Sequence, residues 1–294
     1  MNSNGSLIEG IVIRAYGGYY YVFDGRQEWE CLLRGRFRYE NRQVLVGDRV
    51  YLKPRHGRAG VIEEVLPRRT VLVRPPVANV DQAVIVFAVK DPDPSPRLLD
   101  RFLVVVHMNK IEPLICFNKV DLAESGRIEL ISRYRERYRV VATSARSGEG
   151  LSLLRESLRG RVSVFAGPSG VGKSTILNAI LPGLNLKTGE ISAKLKRGRH
   201  TTRHVELVAL PEGGLVADTP GFSSLDLPDL KPEELAGCFP EIEAYQEGCY
   251  FAGCLHYREP RCAVKEAVGK GLIEESRYRQ YVEFVEELMD RRRY

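Results

Sequence analysis

Apolar and polar positions alternate in short stretches along the first 70 residues, and turn-forming pairs such as Gly-Gly and Asp-Gly separate them. Period-two alternation between such breaks is typical of half-buried strands. We expect five strands, over residues 7–15, 19–24, 27–34, 48–53 and 60–66. These strands predict a small antiparallel β-barrel of the oligonucleotide-binding type, with a barrel that binds no ligand as the alternative.

From residue 75 the pattern changes to longer apolar runs that alternate with helical periodicity. We expect strands over 83–89, 113–117, 138–142, 161–166, 204–210 and 215–217. Helical segments are predicted near 97–109, 124–137, 148–159 and 173–181. Nearly continuous apolar strands joined by helices are typical of a mostly parallel sheet covered on both faces, so this region is predicted to be an α/β domain.

A cysteine-rich loop between helical segments follows residue 228, and a charged amphipathic helix is predicted over 273–292. The apolar stripe of that helix either packs on its own domain or forms a dimer seam, and the first is the commoner arrangement. Its members are Tyr281, Phe284, Val285 and Leu288. We therefore expect three domains: a barrel over 1–72, an α/β domain over 73–228 and a mainly helical domain over 229–294.

Composition narrows the class of protein. The 294 residues carry 44 Lys and Arg against 38 Asp and Glu, a net charge of +6 that suits a polyanionic partner. Residues 1–70 hold 12 basic and 8 acidic side chains, so the excess lies partly in the predicted barrel. The sequence has neither an apolar run of about 18 residues nor a signal-peptide pattern at its start, and we expect a cytoplasmic protein without a membrane segment. In a reducing compartment the six cysteines are expected to be thiols or metal ligands.

A glycine-rich segment after the strand at 161–166 matches the P-loop pattern and precedes a predicted helix. Its backbone amides are expected to bind phosphate oxygens, with Lys173 at the β and γ phosphates and the Ser174 hydroxyl on Mg²⁺. The predicted nucleotide-binding residues of this segment are Gly167, Pro168, Ser169, Gly170, Val171, Gly172, Lys173, Ser174 and Thr175.

Two further segments at strand ends indicate that the base is guanine. The run Asn118, Lys119, Val120 and Asp121 ends with a carboxylate that can accept hydrogen bonds from N1 and the 2-amino group of guanine, a donor pair that adenine lacks. The segment from Thr143 through Ser144 and Ala145 follows the next strand. We expect its backbone, at Ser144 and Ala145, to contact the guanine oxygen.

The remaining elements of a guanine-nucleotide site follow the P-loop. Asp218 would join the Mg²⁺ shell and the Gly221 amide would sense the γ-phosphate. A basic loop supplies Thr201 or Thr202 as a hydroxyl for Mg²⁺, and the sequence does not decide between them. Phe222 stands where many such proteins carry a water-orienting Gln, which predicts slow intrinsic hydrolysis that a partner accelerates.

The order of these elements along the chain is circularly permuted. The guanine-specifying segments come first and the P-loop follows them. Every element still lies at the carboxyl end of a strand, so one crevice can be assembled despite the changed order. The chain then runs from the segment 218–221 directly into the C-terminal domain, to which a γ-phosphate-dependent movement could be passed on.

Three thiols and one imidazole lie within 14 residues of the C-terminal domain: Cys249, Cys254, His256 and Cys262. A set of three Cys and one His suits tetrahedral Zn²⁺ and leaves no open coordination position. The predicted role is therefore structural, because a small loop-rich segment needs such a crosslink to fold.

With these motifs in this order, between an N-terminal barrel and the Cys/His set, the sequence resembles the bacterial ribosome small subunit-dependent GTPase A family along essentially its whole length. The resemblance implies hydrolysis of GTP to GDP during late maturation of the 30S subunit, with turnover stimulated by that subunit and contacts to 16S rRNA. It also implies one structural Zn²⁺ and Mg²⁺ with the nucleotide. Arg203 stands where a third threonine is expected in many relatives, and nothing in the sequence requires more than a monomer.

Two other functions fit parts of the pattern. A metabolic enzyme that transfers a phosphoryl group to a small molecule would need an acceptor pocket, which the guanine-specifying segments do not supply. A binding module with an inactive nucleotide site would keep the fold without turnover, but the intact Lys173, Ser174 and Asp218 argue against it.

Overall fold

The computed structural model describes residues 6–35, 43–73, 76–123, 125–181, 205–217 and 227–291. Among these residues, no helix combines the length and the apolar composition that crossing a bilayer would require.

The N-terminal strands form a closed five-stranded barrel in the order β1-β2-β3-β5-β4. The strands are β1 (Ile8–Tyr16), β2 (Tyr19–Phe23), β3 (Glu28–Leu33), β4 (Arg49–Pro54) and β5 (Ala59–Val65). Apolar side chains at alternating positions fill its interior, among them Val12, Val22 and Leu52. The predicted barrel is confirmed, and its cysteine, Cys31, is buried in this core.

One strand pairing differs from the antiparallel barrel that the sequence predicts. Strand β3 pairs with β5 in parallel, whereas the other four pairs are antiparallel. The reason is geometric, because an odd number of strands in a closed ring cannot alternate direction at every pair. The barrel is therefore antiparallel at every pair except β3–β5.

A short hairpin joins the barrel to the α/β domain. It consists of β6 (Val71–Val73) and β7 (Pro76–Ala78), and the hydrophobic pattern does not predict it. Val46 of the barrel forms a parallel bridge with Val77 of the hairpin. Both residues, with Ile13 of β1, belong to the same buried cluster as one face of the central sheet, so barrel and α/β domain share apolar contacts.

The central sheet has six strands in the order β10-β9-β8-β11-β13-β12. They are β8 (Gln82–Ala88), β9 (Glu112–Asn118), β10 (Arg139–Ala142), β11 (Val162–Ala166), β12 (Leu207–Ala209) and β13 (Leu215–Ala217). Only β12 pairs in the antiparallel sense, with β13. All seven residues of β8 are buried, because helices cover both faces of a parallel sheet.

The helices of this domain agree with the predicted segments to within a few residues. They are α1 (Pro96–Met108), α2 (Ser125–Arg135), α3 (Leu151–Leu158) and α4 (Lys173–Ile180). Helix α1 begins at a proline after Ser95, whose side chain accepts a hydrogen bond from the amide of Leu98 at 3.3 Å. Both features are typical of helix starts.

Residues 227–291 of the C-terminal domain form a 3₁₀ helix, Pro232–Cys238, and three α-helices. These are α5 (Pro240–Gln246), α6 (Ala263–Gly269) and α7 (Glu275–Arg291). The predicted apolar stripe of α7, including Tyr281 and Phe284, is buried in the core of its own domain. Of the two arrangements considered for this stripe, the structure therefore has the first, packing within the domain. Val104 of α1 belongs to the same core, so the last two domains also pack together.

Candidate nucleotide site and metal cluster

The P-loop segment follows β11 and leads into α4. Three of its glycines, Gly167, Gly170 and Gly172, have positive φ angles of 131°, 81° and 95°. A Cβ atom would lie 2.2 Å from the Val86 carbonyl oxygen at Gly167 and 2.4 Å from the Asn118 side chain at Gly172. Glycine is therefore required at both positions by backbone conformation and by space, and the loop can turn its amides inward.

The Lys173 side chain lies folded against this loop. Its Nζ donates hydrogen bonds to the carbonyl oxygens of Gly167 at 2.7 Å and Pro168 at 2.5 Å. Burial lowers the pKa of this amine from 10.5 to about 8. The amine thus lies against the P-loop, in an environment that penalises its positive charge. Ser174 follows it, half-buried, and Thr175 is exposed.

Asn118 connects three of the predicted elements. It is 2% exposed at the end of β9, and its Nδ2 donates to the Val171 carbonyl oxygen of the P-loop at 2.8 Å. Its Oδ1 accepts from the Thr143 hydroxyl and from the Ala145 amide, each at 3.2 Å. The sequence motif assigns Asn118 to nucleotide binding, whereas its described hydrogen bonds all hold neighbouring loops together. That role depends on spatial neighbours that the sequence alone does not reveal.

Backbone hydrogen bonds join the two guanine-specifying segments further. The Val120 amide donates to the Thr143 carbonyl oxygen at 3.1 Å, and the Thr143 amide donates to that of Phe117 at 2.8 Å. Ser144 is fully buried, and its hydroxyl accepts a hydrogen bond from the Ser147 amide at 3.1 Å. The ends of β9 and β10 therefore form one rigid unit beside the P-loop.

Lys119 and Asp121 lie on the outer side of this unit. Lys119 has a φ angle of 63°, and its Nζ donates to the carbonyl oxygen of Asp91 in the loop after β8. Asp121 is exposed in a short 3₁₀ helix, Val120–Leu122. Its carboxylate is therefore accessible to a base that enters from solvent.

The remaining predicted residues lie outside the described part of the chain. These are Thr201 and Thr202, Asp218 and Gly221, and Phe222. Strand β13 ends at Ala217, immediately before Asp218, and Ala217 pairs with Val164 of the strand that leads into the P-loop.

The metal cluster lies in the C-terminal domain. The ligand atoms of Cys249, Cys254, His256 and Cys262 all lie within 4.8 Å of one another. Cys249 Sγ is 3.8 Å from Cys262 Sγ, and His256 Nδ1 is 3.4 Å from each of these sulfur atoms. A tetrahedral Zn²⁺ with Zn–S of about 2.3 Å and Zn–N of about 2.05 Å places its ligands about 3.8 Å and about 3.6 Å apart. The donor set and its spacing therefore fit zinc.

Contacts from the last helix fix the loop that carries these ligands. The hydroxyls of Tyr278 and Tyr281 donate to the carbonyl oxygens of His256 at 2.7 Å and Leu255 at 3.0 Å. The Glu259 carboxylate accepts from the amides of Leu255 and Tyr257, and these hydrogen bonds lower its pKa although its burial opposes the shift. The cluster is thus built into the domain core, which is typical of a structural metal site.

The arginines of the barrel differ in whether they already form ion pairs within the protein. Arg34 and Arg68 pair with Glu63 and Asp48 at 2.6 and 2.7 Å, and Arg14 and Arg49 are also in ion pairs. At the β4–β5 turn, by contrast, Arg55 and Arg58 are exposed and form no ion pair with another described residue. A count of charges along the sequence does not separate the paired arginines from the unpaired ones.

The fold and the site together define a P-loop protein for guanine nucleotides in which the motif order is circularly permuted. Comparison with known proteins gives the family. The sequence-family model of the RsgA GTPase matches residues 65–228, and the family model of the RsgA N-terminal domain matches residues 9–62. This chain belongs to the RsgA GTPase family.

Relatives resemble the chain along almost its entire length. It is 52% identical over 287 residues to the small ribosomal subunit biogenesis GTPase RsgA of Moorella thermoacetica, covering 97% of this chain and 99% of that protein. The protein of the same name from Geobacillus thermodenitrificans is 50% identical over 291 residues, covering 97% and 99%.

Two crystal structures are similar throughout. YjeQ from Thermotoga maritima has a TM-score of 0.86 at 41% identity, covering 97% of this chain and 99% of that one. YloQ, described as a circularly permuted GTPase, has a TM-score of 0.84 at 42% identity, covering 99% and 98%. The expected GTPase activity and permuted architecture are thereby confirmed.

Proposed function

We propose that this GTPase acts in late maturation of the small (30S) ribosomal subunit in the cytoplasm and that GTP hydrolysis times its release from that subunit. The relatives are named for biogenesis of the small ribosomal subunit. The names of these relatives carry the ribosomal part of the proposal, and the hydrogen bonds of Asn118 support the nucleotide part, since they bring the P-loop and both guanine-specifying segments to one edge of the sheet. Such a site binds GTP and GDP, and we propose that the protein works as a monomer.

In this proposal the guanine base binds at one end of the site and the phosphates at the other. Asp121 accepts from the base, and Lys173 leaves its carbonyl partners to bind the β and γ phosphate oxygens. Ser174 and Asp218, with Thr201 or Thr202, would hold Mg²⁺, which would supply positive charge to stabilise the phosphates during hydrolysis. The Gly221 amide would sense the γ-phosphate. The other proposed nucleotide contacts are Asn118, Lys119, Val120, Ser144, Ala145, Gly167, Pro168, Ser169, Gly170, Val171, Gly172 and Thr175.

We propose that the 30S subunit stimulates turnover. The support is chemical, because Phe222 cannot orient a water molecule and an incomplete site needs a further group from a partner. Hydrolysis would then occur only on the correct particle and would release the protein from it.

We further propose that the β4–β5 turn contacts 16S rRNA. The exposed side chains of this turn and of the adjoining end of β4 include Lys53, Arg55 and Arg58, which have no carboxylate partner among the described residues. Contacts of this kind bind phosphates through charge. The double variant Arg55→Gln with Arg58→Gln is expected to weaken binding to 30S subunits at least tenfold. Arg34→Gln with Arg49→Gln, which removes two arginines held in ion pairs, is the matched control and should have a smaller effect.

The remaining assignments are also proposals. We assign a structural role to Zn²⁺, since four protein ligands leave no position for a catalytic water. We place the barrel at 1–72, the GTPase domain at 73–228 and the zinc-binding domain at 229–294. The boundary between the barrel and the GTPase domain falls within β6, in the hairpin that joins them.

The decisive experiment measures GTP hydrolysis by the purified protein alone and with isolated 30S subunits. ATP in place of GTP and 50S in place of 30S subunits are the controls. We expect a low basal GTP rate that 30S subunits alone raise strongly. Rapid unassisted turnover, or equal rates with and without 30S subunits, would refute the stimulated mechanism.

A further inference from the structure

One strand of the central sheet leads into a loop that no nucleotide motif marks. Strand β8 lies between β9 and β11, which carry the segment 118–121 and the P-loop at their carboxyl ends. Because these three strands are parallel, the loop after β8 leaves the sheet at the same edge, between the two motifs. This loop, residues 89–95, is called the β8 loop below. Its place in the sheet puts it beside both halves of the nucleotide site.

Both ends of the β8 loop are attached to the rest of the domain. At its start the Val89 amide donates to the Asn118 carbonyl oxygen at 2.9 Å. At its end the Ser95 side chain caps helix α1 by accepting from the Leu98 amide at 3.3 Å. Alternate positions from the middle of the loop to the start of α1 are proline: 92, 94 and 96. Because proline fixes φ, a loop restrained in this way can act as a rigid support.

The β8 loop lies against both neighbouring motifs. Lys119 Nζ donates a hydrogen bond to the Asp91 carbonyl oxygen. Pro92 lies beside the P-loop, since a Cβ atom placed on Gly170 would be 3.6 Å from Pro92 Cδ. The Lys119 side chain therefore reaches from the end of β9 to the β8 loop, and the next residue of that loop adjoins the phosphate-binding segment.

The direction of the Asp91 carbonyl depends on an uncommon backbone conformation. Asp91 has a φ angle of 50°, in the left-handed region. Glycine, asparagine and aspartate enter this region more readily than other residues, whereas a β-branched side chain is strained there. The residue type at position 91 therefore suits the backbone that the contact with Lys119 requires. A residue that avoids this conformation would turn the carbonyl oxygen away from Lys119.

We propose that Asp91 is a positioning residue of the nucleotide site: its backbone carbonyl fixes the Lys119 side chain in the conformation that contacts bound guanine nucleotide. A lysine side chain loses more rotamer entropy on ordering than most other side chains. Because Asp91 already holds the ammonium group, part of that entropy is lost before the nucleotide binds, and the affinity is higher. This inference rests on the proposed contact between Lys119 and the nucleotide.

The test measures the affinity and the dissociation rate of a fluorescent GDP analogue with the full-length protein. Asp91→Val places a β-branched residue in the left-handed position, and Lys119→Met removes the ammonium group while keeping a long side chain. Lys110→Val is the matched control, because Lys110 also has a positive φ angle, of 56°. It lies in the turn between α1 and β9, at the opposite edge of the sheet from the nucleotide site.

We expect Asp91→Val to weaken GDP binding about fivefold, mainly through faster dissociation, and Lys110→Val to stay within about twofold of the parent protein. Asp91→Gly permits the left-handed backbone without the carboxylate, so it should bind GDP about threefold more tightly than Asp91→Val. Combining Asp91→Val with Lys119→Met should give the affinity of Lys119→Met alone, because Asp91 acts through Lys119.

Three results would overturn the positioning role while leaving the contact of Lys119 with the nucleotide intact. They are unchanged binding by Asp91→Val, equal losses in Asp91→Gly and Asp91→Val, and additive losses in the double variant. Unchanged GDP binding by Lys119→Met would instead refute the proposed contact itself, and the positioning role with it. If Asp91→Val does not fold, Asp91→Ala decides, because alanine is strained in the same way but less severely: unchanged binding by that variant overturns the proposal.

Discussion

We expect the lowered pKa of Lys173 to make nucleotide affinity depend on pH, because Lys173 is proposed to bind the phosphates. In the free protein, burial stabilises the neutral amine and lowers its pKa to about 8. Bound phosphates stabilise the charged amine and raise the pKa again. Above pH 8 most of the free protein has a neutral Lys173 amine. Nucleotide binding is therefore expected to be accompanied by protonation of this amine.

The magnitude follows from the free-state pKa. At pH 7 about nine-tenths of the free protein carries the charged amine, and at pH 9 about one-tenth does, for a pKa of about 8. If the bound-state pKa stays above 10, the affinity for GDP falls about tenfold between pH 7 and pH 9, or roughly 1.4 kcal/mol. Below pH 7 both states are protonated, and this contribution to affinity no longer changes.

The assay is a calorimetric titration with GDP at several pH values between 7 and 9. At pH 8.5, two buffers with different ionisation enthalpies give the number of protons taken up, which we expect to be between one half and one. Lys173→Arg is the control, because arginine stays charged throughout this range. The phosphates of GDP titrate in the same way with both proteins. The difference between the two slopes of GDP affinity against pH therefore reports the titration of Lys173 alone.

Equal pH slopes for the parent protein and Lys173→Arg would refute the reasoning. Proton uptake near zero at pH 8.5 would do the same. Either result would mean that the amine is already charged in the free protein and that its two carbonyl partners offset the cost of burial.

Three further predictions concern the base, the loop junction and the metal. Asp121→Asn should shift the preference from guanine towards xanthine nucleotides, and unchanged guanine selectivity in competition binding would remove Asp121 from the base site. Asn118→Ala should lose about 2–4 kcal/mol, divided between the free energy of unfolding and GDP affinity, because it removes three hydrogen bonds, two of them buried. Its control is Asn109→Ala, which removes a single hydrogen bond far from the site, and equal effects of the two would contradict a joining role. Cys254→Ala should lose bound zinc and unfold the C-terminal domain while GDP binding persists, and full zinc content measured by mass spectrometry would exclude Cys254 as a ligand.

The strands and helices were largely predictable because their signals are local. Residues 82–88 form a nearly unbroken apolar run, and they become a strand buried on both faces. Hairpin β6–β7 was missed because its three-residue strands are too short to show a period, and they are stabilised by barrel and sheet contacts that no local pattern contains.

The chemistry of the motifs was predictable for the same reason, since each motif is a short stretch of chain. Backbone conformation and neighbouring atoms require glycine at positions 167 and 172. The P-loop sequence pattern has glycine at both positions for this reason. The four residues of the Cys/His cluster lie close together along the chain, so their spacing alone indicated a metal site.

Tertiary structure decided which distant groups meet. The contacts of Asn118 with Val171 and Ala145 span 53 and 27 residues, and no sequence period reports them. The same holds for Arg277, which reaches Asp100 across 177 residues and leaves one oxygen of Glu241 without a partner among the described residues. Sequence determined the elements and the chemistry of each motif, because those depend on neighbouring residues. The lowered pKa of Lys173 depends on burial, which only the packed chain creates.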